Sequence, residues 1–137
     1  MSVSEYERER LLMRLMDVKF QLDSIRAKLN ERSSRCREII NELQEEYNRL
    51  VFVRDNIQRR LREYGYGWWW SEQRQLARQE SLERLAKINA RLAELNNRIA
   101  AISNQCNREI AELQQEYNRL FLEYSRLRSL LGMGGGV

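Results

Sequence analysis

The chain has 137 residues, with 24 Lys+Arg against 20 Asp+Glu, two Cys, no Pro and no His. One small domain is expected from that length, and 32% charged residues without a single proline argue against a β-sandwich or a loop-rich enzyme. The commonest general base and metal ligand is missing with His, and two Cys seventy residues apart suggest neither a zinc site nor a disulfide scaffold.

At the N-terminus, Ser4-Glu5-Tyr6-Glu7 is a capping-box pattern. It predicts a first helix from about Ser4 to Glu63. Within it Leu15, Val18, Leu22, Ile25, Leu29, Cys36, Ile40, Leu43, Tyr47, Leu50, Ile57 and Leu61 recur at mostly three- and four-residue steps. That spacing is the seam of a coiled coil. Arg32, Cys36 and Ile40 follow at two successive four-residue steps, a stutter that relaxes the supercoil locally. Met13, Met16 and Phe20 form a second apolar stripe. Charge along this helix is banded: a basic band around Arg26 to Arg37, an acidic band over Glu38, Glu42, Glu45 and Glu46, then a basic band from Arg49 to Arg62. Such bands can set the stagger of rods packed side by side.

Tyr64-Gly65-Tyr66-Gly67-Trp68-Trp69-Trp70 breaks the pattern, because two glycines within three residues end a helix. Ser71 is the expected N-cap of a second helix running to about Leu131. Its seam residues include Leu82, Leu85, Ile88, Leu92, Leu95, Ile99, Ile102, Cys106, Ile110, Leu113, Tyr117, Leu120, Tyr124 and Leu127, and Ala86, Ala90, Ala93 and Ala100 make a small-residue stripe. The predicted division is therefore residues 1–63 for helix one, 64–70 for an aromatic loop, 71–131 for helix two and 132–137 for a flexible Gly-rich tail.

The two helices carry an internal repeat. Cys36 to Leu50 reads CREIINELQEEYNRL and Cys106 to Leu120 reads CNREIAELQQEYNRL, with ten of fifteen positions identical at an offset of 70. Seventy residues is ten heptads, so both copies keep one helical phase. The expected fold is all-α: a long antiparallel coiled-coil helical hairpin built from this repeat. With the loop centre near Gly67 or Trp68, residue i faces residue 135 minus i, which pairs Leu22 with Leu113 and Leu43 with Leu92. Matched antiparallel seams fit several registers, so this alignment is supportive only. The alternative is a four-helix bundle of two short hairpins, with a chain reversal between Asn30 and Arg35. In the hairpin register Cys36 and Cys106 lie roughly 10 Å apart along the axis, too far for a disulfide. They are read as small buried apolar residues.

No phosphate loop, nucleophile elbow or dinucleotide glycine pattern is present. Glutamates such as Glu42, Glu45, Glu109 and Glu112 read as solvated faces rather than a di-metal site, which normally needs Glu-x-x-His pairs. The expectation is a non-enzyme without cofactor or metal. Five large rings at a loop tip exceed what two helix ends can bury. Tyr64, Tyr66, Trp68, Trp69 and Trp70, with Arg59 and Arg62, have the composition of a protein-interface hot spot. The same set suits a membrane interface. Met13, Met16, Phe20, Phe121 and Leu122 are the expected oligomerisation residues, since a two-helix rod has one seam and leaves further stripes uncovered. Together these readings point to a structural or adaptor subunit of a virion, filament or secretion-type machine, with protein partners. In size, layout and Arg richness the chain resembles the small coiled-coil stalk proteins of flagellar and type III export machines. The alternatives are a peripheral membrane protein inserting its Trp tip and a nucleic-acid-bridging rod, the latter weakened by a net charge of only +4. The N-terminus lacks the basic and apolar regions of a signal peptide. The expected location is the cytoplasm or a particle assembled there.

Overall fold

The computed structural model describes residues 4–63 and 72–133. It contains two long helices packed against each other as a hairpin: α1, Glu5–Glu63, and α2, Glu72–Leu130. Each follows from the three- and four-residue apolar steps above. Ser4 caps α1, its Oγ accepting from the Glu7 N–H at 3.2 Å, and so satisfies one of the orphan donors of the first turn. α1 runs through Asn30–Arg35 without a break, so the chain reversal needed by the four-helix bundle is absent there. The expected N-cap Ser71 and the Tyr64–Trp70 segment lie outside the described residues.

Residues divide into two compact units. The first pairs residues 1–36 with 105–137. Its core is Leu15, Val18, Leu22, Ile25, Leu120, Leu127 and Leu131, with Leu11, Leu12, Leu29, Leu113, Tyr117, Phe121 and Tyr124 packed against it. Cys36 and Cys106 are buried here and joined by a disulfide, with Cα atoms 6.3 Å apart. This corrects the expected register and the reading of both cysteines as unpaired core residues. Cys36 opposite Cys106 puts residue i level with residue 142 minus i. Leu22 is thus level with Leu120 and not Leu113. The helices have slipped by one heptad from the alignment centred on the loop. The slip keeps most seam layers apolar, because a shift of seven residues carries most seam positions onto another seam position. It gains Leu131 as a buried layer and the covalent bond itself.

The second unit comprises residues 37–104. Leu43, Ile57, Leu92 and Leu95 are buried in it, Leu95 completely. Tyr47, Leu50, Leu61, Leu85, Ile88 and Ile99 are half-buried around them. Arg91 reaches across the seam to Glu46, donating to both carboxylate oxygens at 2.9–3.1 Å, and also pairs with Glu94 at 3.2 Å. Glu46, then Glu94, holds the Arg91 guanidinium above its ordinary pKa by hydrogen bonding to the charged form.

α2 ends in a Schellman cap. Gly132 has φ +66°, its N–H reaching Ser129 O at 3.1 Å, and the Met133 N–H reaches Arg128 O at 3.0 Å. Of the expected tail, Gly132 and Met133 belong to this cap, and residues 134–137 lie outside the described residues. A Cβ at Gly132 would meet nothing within 4 Å. Gly132→Ala is therefore expected to lose only the left-handed backbone penalty, about 1 kcal/mol, and Gly132→Asn less. Urea unfolding of the two variants checks the order.

Candidate interaction surfaces

A helix in a two-helix hairpin has one face on its partner and the rest in water. On α1, Val18 and Leu22 point into the seam, and Phe20 lies about half a turn away from both. Met13 stands in the same relation to Leu11 and Leu15. Met13 is 71% exposed, Met16 72% and Phe20 74%. The expected stripe is thus present and uncovered in the first unit. Tyr6, which the sequence reading passed over, extends it: it is 70% exposed and sits seven residues before Met13. The signal was available as the heptad interval Tyr6, Met13, Phe20.

The other two expected residues are placed differently. Leu122 is exposed, but it lies on the face of α2 opposite Leu120 and Tyr124. Each of these outer faces points away from the other helix, so Leu122 does not join the α1 stripe. Phe121 is half-buried. It packs on the unit-one core and stacks on Tyr117 with ring centroids 6.3 Å apart. The position of Phe121 beside the seam gives it an intramolecular partner.

Arg59 and Arg62 are exposed near the end of α1, Arg59 donating to Asn56 at 3.1 Å. Their five aromatic companions, Tyr64, Tyr66, Trp68, Trp69 and Trp70, lie outside the described residues. Phe52 is a further exposed ring, on α1 in the second unit. Ala86, Ala90, Ala93 and Ala100 are exposed on α2.

The charge bands acquire an internal account. Lys28, Arg32 and Arg35 of α1 line a groove with Glu109, Glu112 and Glu116 of α2. Arg32 bonds Glu109 at 2.8 Å, and Arg26 donates to the Tyr117 hydroxyl at 3.1 Å with its guanidinium over the ring. Arg32 occupies the seam position at the stutter, where two four-residue steps leave the seam loose, and it turns outward to a carboxylate. The basic band around Arg32 is thus answered by acids on the neighbouring helix. Comparisons of the chain with protein-family models, curated proteins and solved structures find no match.

Proposed function

We propose that the chain is a non-enzymatic structural or adaptor subunit of a larger assembly, a virion, filament or secretion-type machine. The observation that carries this reading is the uncovered row Tyr6, Met13, Met16 and Phe20 on the outer face of a helix whose seam is already filled. Four large apolar side chains on one face are a liability in water unless another surface covers them. The aromatic segment between the helices is the second anchor, since Trp and Tyr concentrate interface energy. The ten-heptad repeat supports an origin by duplication of one helix that paired with itself antiparallel. The Cys36–Cys106 bond favours a particle whose thiols become oxidised over the reducing cytosol.

Replacing Trp68, Trp69 and Trp70 together with Ala tests the anchor. Helix content by circular dichroism should stay nearly unchanged, while co-purification with the parent assembly from the native source is lost. A collapse of helicity would identify the tryptophans as a structural staple. Survival of both helicity and co-purification would remove the tip as an anchor. Flotation of the same pair of proteins with liposomes separates a protein partner from a lipid surface.

A further inference from the structure

The uncovered α1 face has the pattern of a second coiled-coil seam. Tyr6, Met13 and Phe20 fall at heptad intervals and Met16 lies on the same side between two of them. In heptad terms Tyr6, Met13, Phe20 and Ala27 take one core position, and Glu9, Met16 and Asp23 take the other. We infer that this face pairs with the same face of a second copy of the chain, antiparallel, about a twofold axis between Met13 and Met16. This identifies the occupant of the lateral stripe and so rests on the assembly reading.

Charge decides both the occupant and the direction. A parallel pairing would set Glu9 on Glu9 and Asp23 on Asp23 within the contact, like charges brought together and partly desolvated. The antiparallel pairing sets Met13 of one copy on Met16 of the other, twice. It also sets Tyr6 level with Asp23 of the second copy, where the phenol can donate to a carboxylate. Phe20 then packs over the aliphatic stem of Glu9.

One flanking pair, Glu5 with Lys19, is of opposite charge in the same arrangement. Within the first unit, level partners total 142 in residue number, and its two interhelical bridges, Arg14–Glu123 and Arg32–Glu109, total 137 and 141. Level partners across the twofold total 29, and Glu5 with Lys19 of the second copy totals 24. The offset of five residues is the one that Arg14–Glu123 already uses in the first unit. Among the described residues neither Glu5 nor Lys19 takes part in an ion pair within the chain. Asp17 meets its own counterpart across the axis, and it is held by Arg14 at 3.1 Å and Gln21 at 3.1 Å. The twofold repeats each favourable pair, as an isologous contact requires. Four apolar residues a side is a small interface, in the size class of weak and transient contacts, for which a micromolar Kd is expected.

Sedimentation equilibrium of the oxidised full chain between about 1 and 100 µM, a range set by that affinity class, should show a monomer–dimer equilibrium. The triple variant Met13→Ser, Met16→Ser, Phe20→Ser should sediment as a monomer throughout that range with unchanged helicity. Glu5→Lys and Lys19→Glu singly should each raise the dimer Kd roughly 3–10-fold at low salt, since each reversal affects two symmetric pairs. The double variant Glu5→Lys, Lys19→Glu should return the Kd to within about twofold of wild type by restoring both pairs. A wild-type chain that stays monomeric at the upper concentration overturns the self-pairing, as does a double variant no better than the singles. Either result leaves the assembly reading to its own co-purification test.

Discussion

Breaking the Cys36–Cys106 bond should lower the unfolding free energy by about 4 kcal/mol, the chain-entropy value for a closed loop of this size. The loop spans a sequence separation of 70 residues, and the cross-link acts by denying the unfolded chain the conformations in which those residues are far apart. The folded state should change little. Both cysteines are buried, serine is nearly the same size, and the core of the first unit packs without either sulfur. The clean experiment compares urea unfolding of the oxidised chain, the reduced chain and the Cys36→Ser, Cys106→Ser variant at equal concentration. The last two should have coincident midpoints, well below the first. Coincidence of all three would mean that the disulfide does not constrain the unfolded chain.

The second large effect belongs to Leu95. It is fully buried at 0% exposure, whereas Leu76, on the same helix, is 58% exposed. Leu95→Ala should cost about 3–4 kcal/mol, within the range for Leu truncation in a packed core. A two-helix seam can collapse partway onto the gap, which keeps the value from the top of that range. Leu76→Ala should lie within about 0.5 kcal/mol of wild type, as surface substitutions usually do. The pair measured by thermal or urea unfolding separates core packing from general helix propensity, which favours Ala slightly at both sites. Equal effects at the two positions would place Leu95 outside the core.

Helices and seam were legible because each apolar residue reports its own phase. Three- and four-residue steps from Leu15 onward and from Leu82 onward need only local geometry, and two long helices follow from them. Register was not legible from the same signal. The seam is nearly periodic, so a slip of seven residues preserves most apolar layers, and the loop centre gave the wrong choice for the first unit. The information lay in the repeat. Cys36 and Cys106 are the first residues of its two matching segments. Antiparallel packing of two equivalent helices has one level at which a residue meets its own counterpart. A cysteine is the side chain that gains most from being placed there, and that level is the observed one. The lateral surface was half legible. Met13, Met16 and Phe20 were readable as a stripe because nothing on α2 shares their face. Phe121 was misplaced because its partner Tyr117 depends on side-chain direction beside the seam, which spacing alone does not fix.

The disulfide also changes what a single backbone cut can do. Any scission between Cys36 and Cys106 leaves two fragments still tied through the sulfurs. A protease acting between Glu63 and Glu72 would turn one polypeptide into two helices, each keeping its share of the seam. The product would run as one species on a non-reducing gel and as two after thiol treatment. Maturation by proteolysis and exposure of new chain ends in that interval are therefore compatible with an intact helix pair, so long as the cystine remains oxidised.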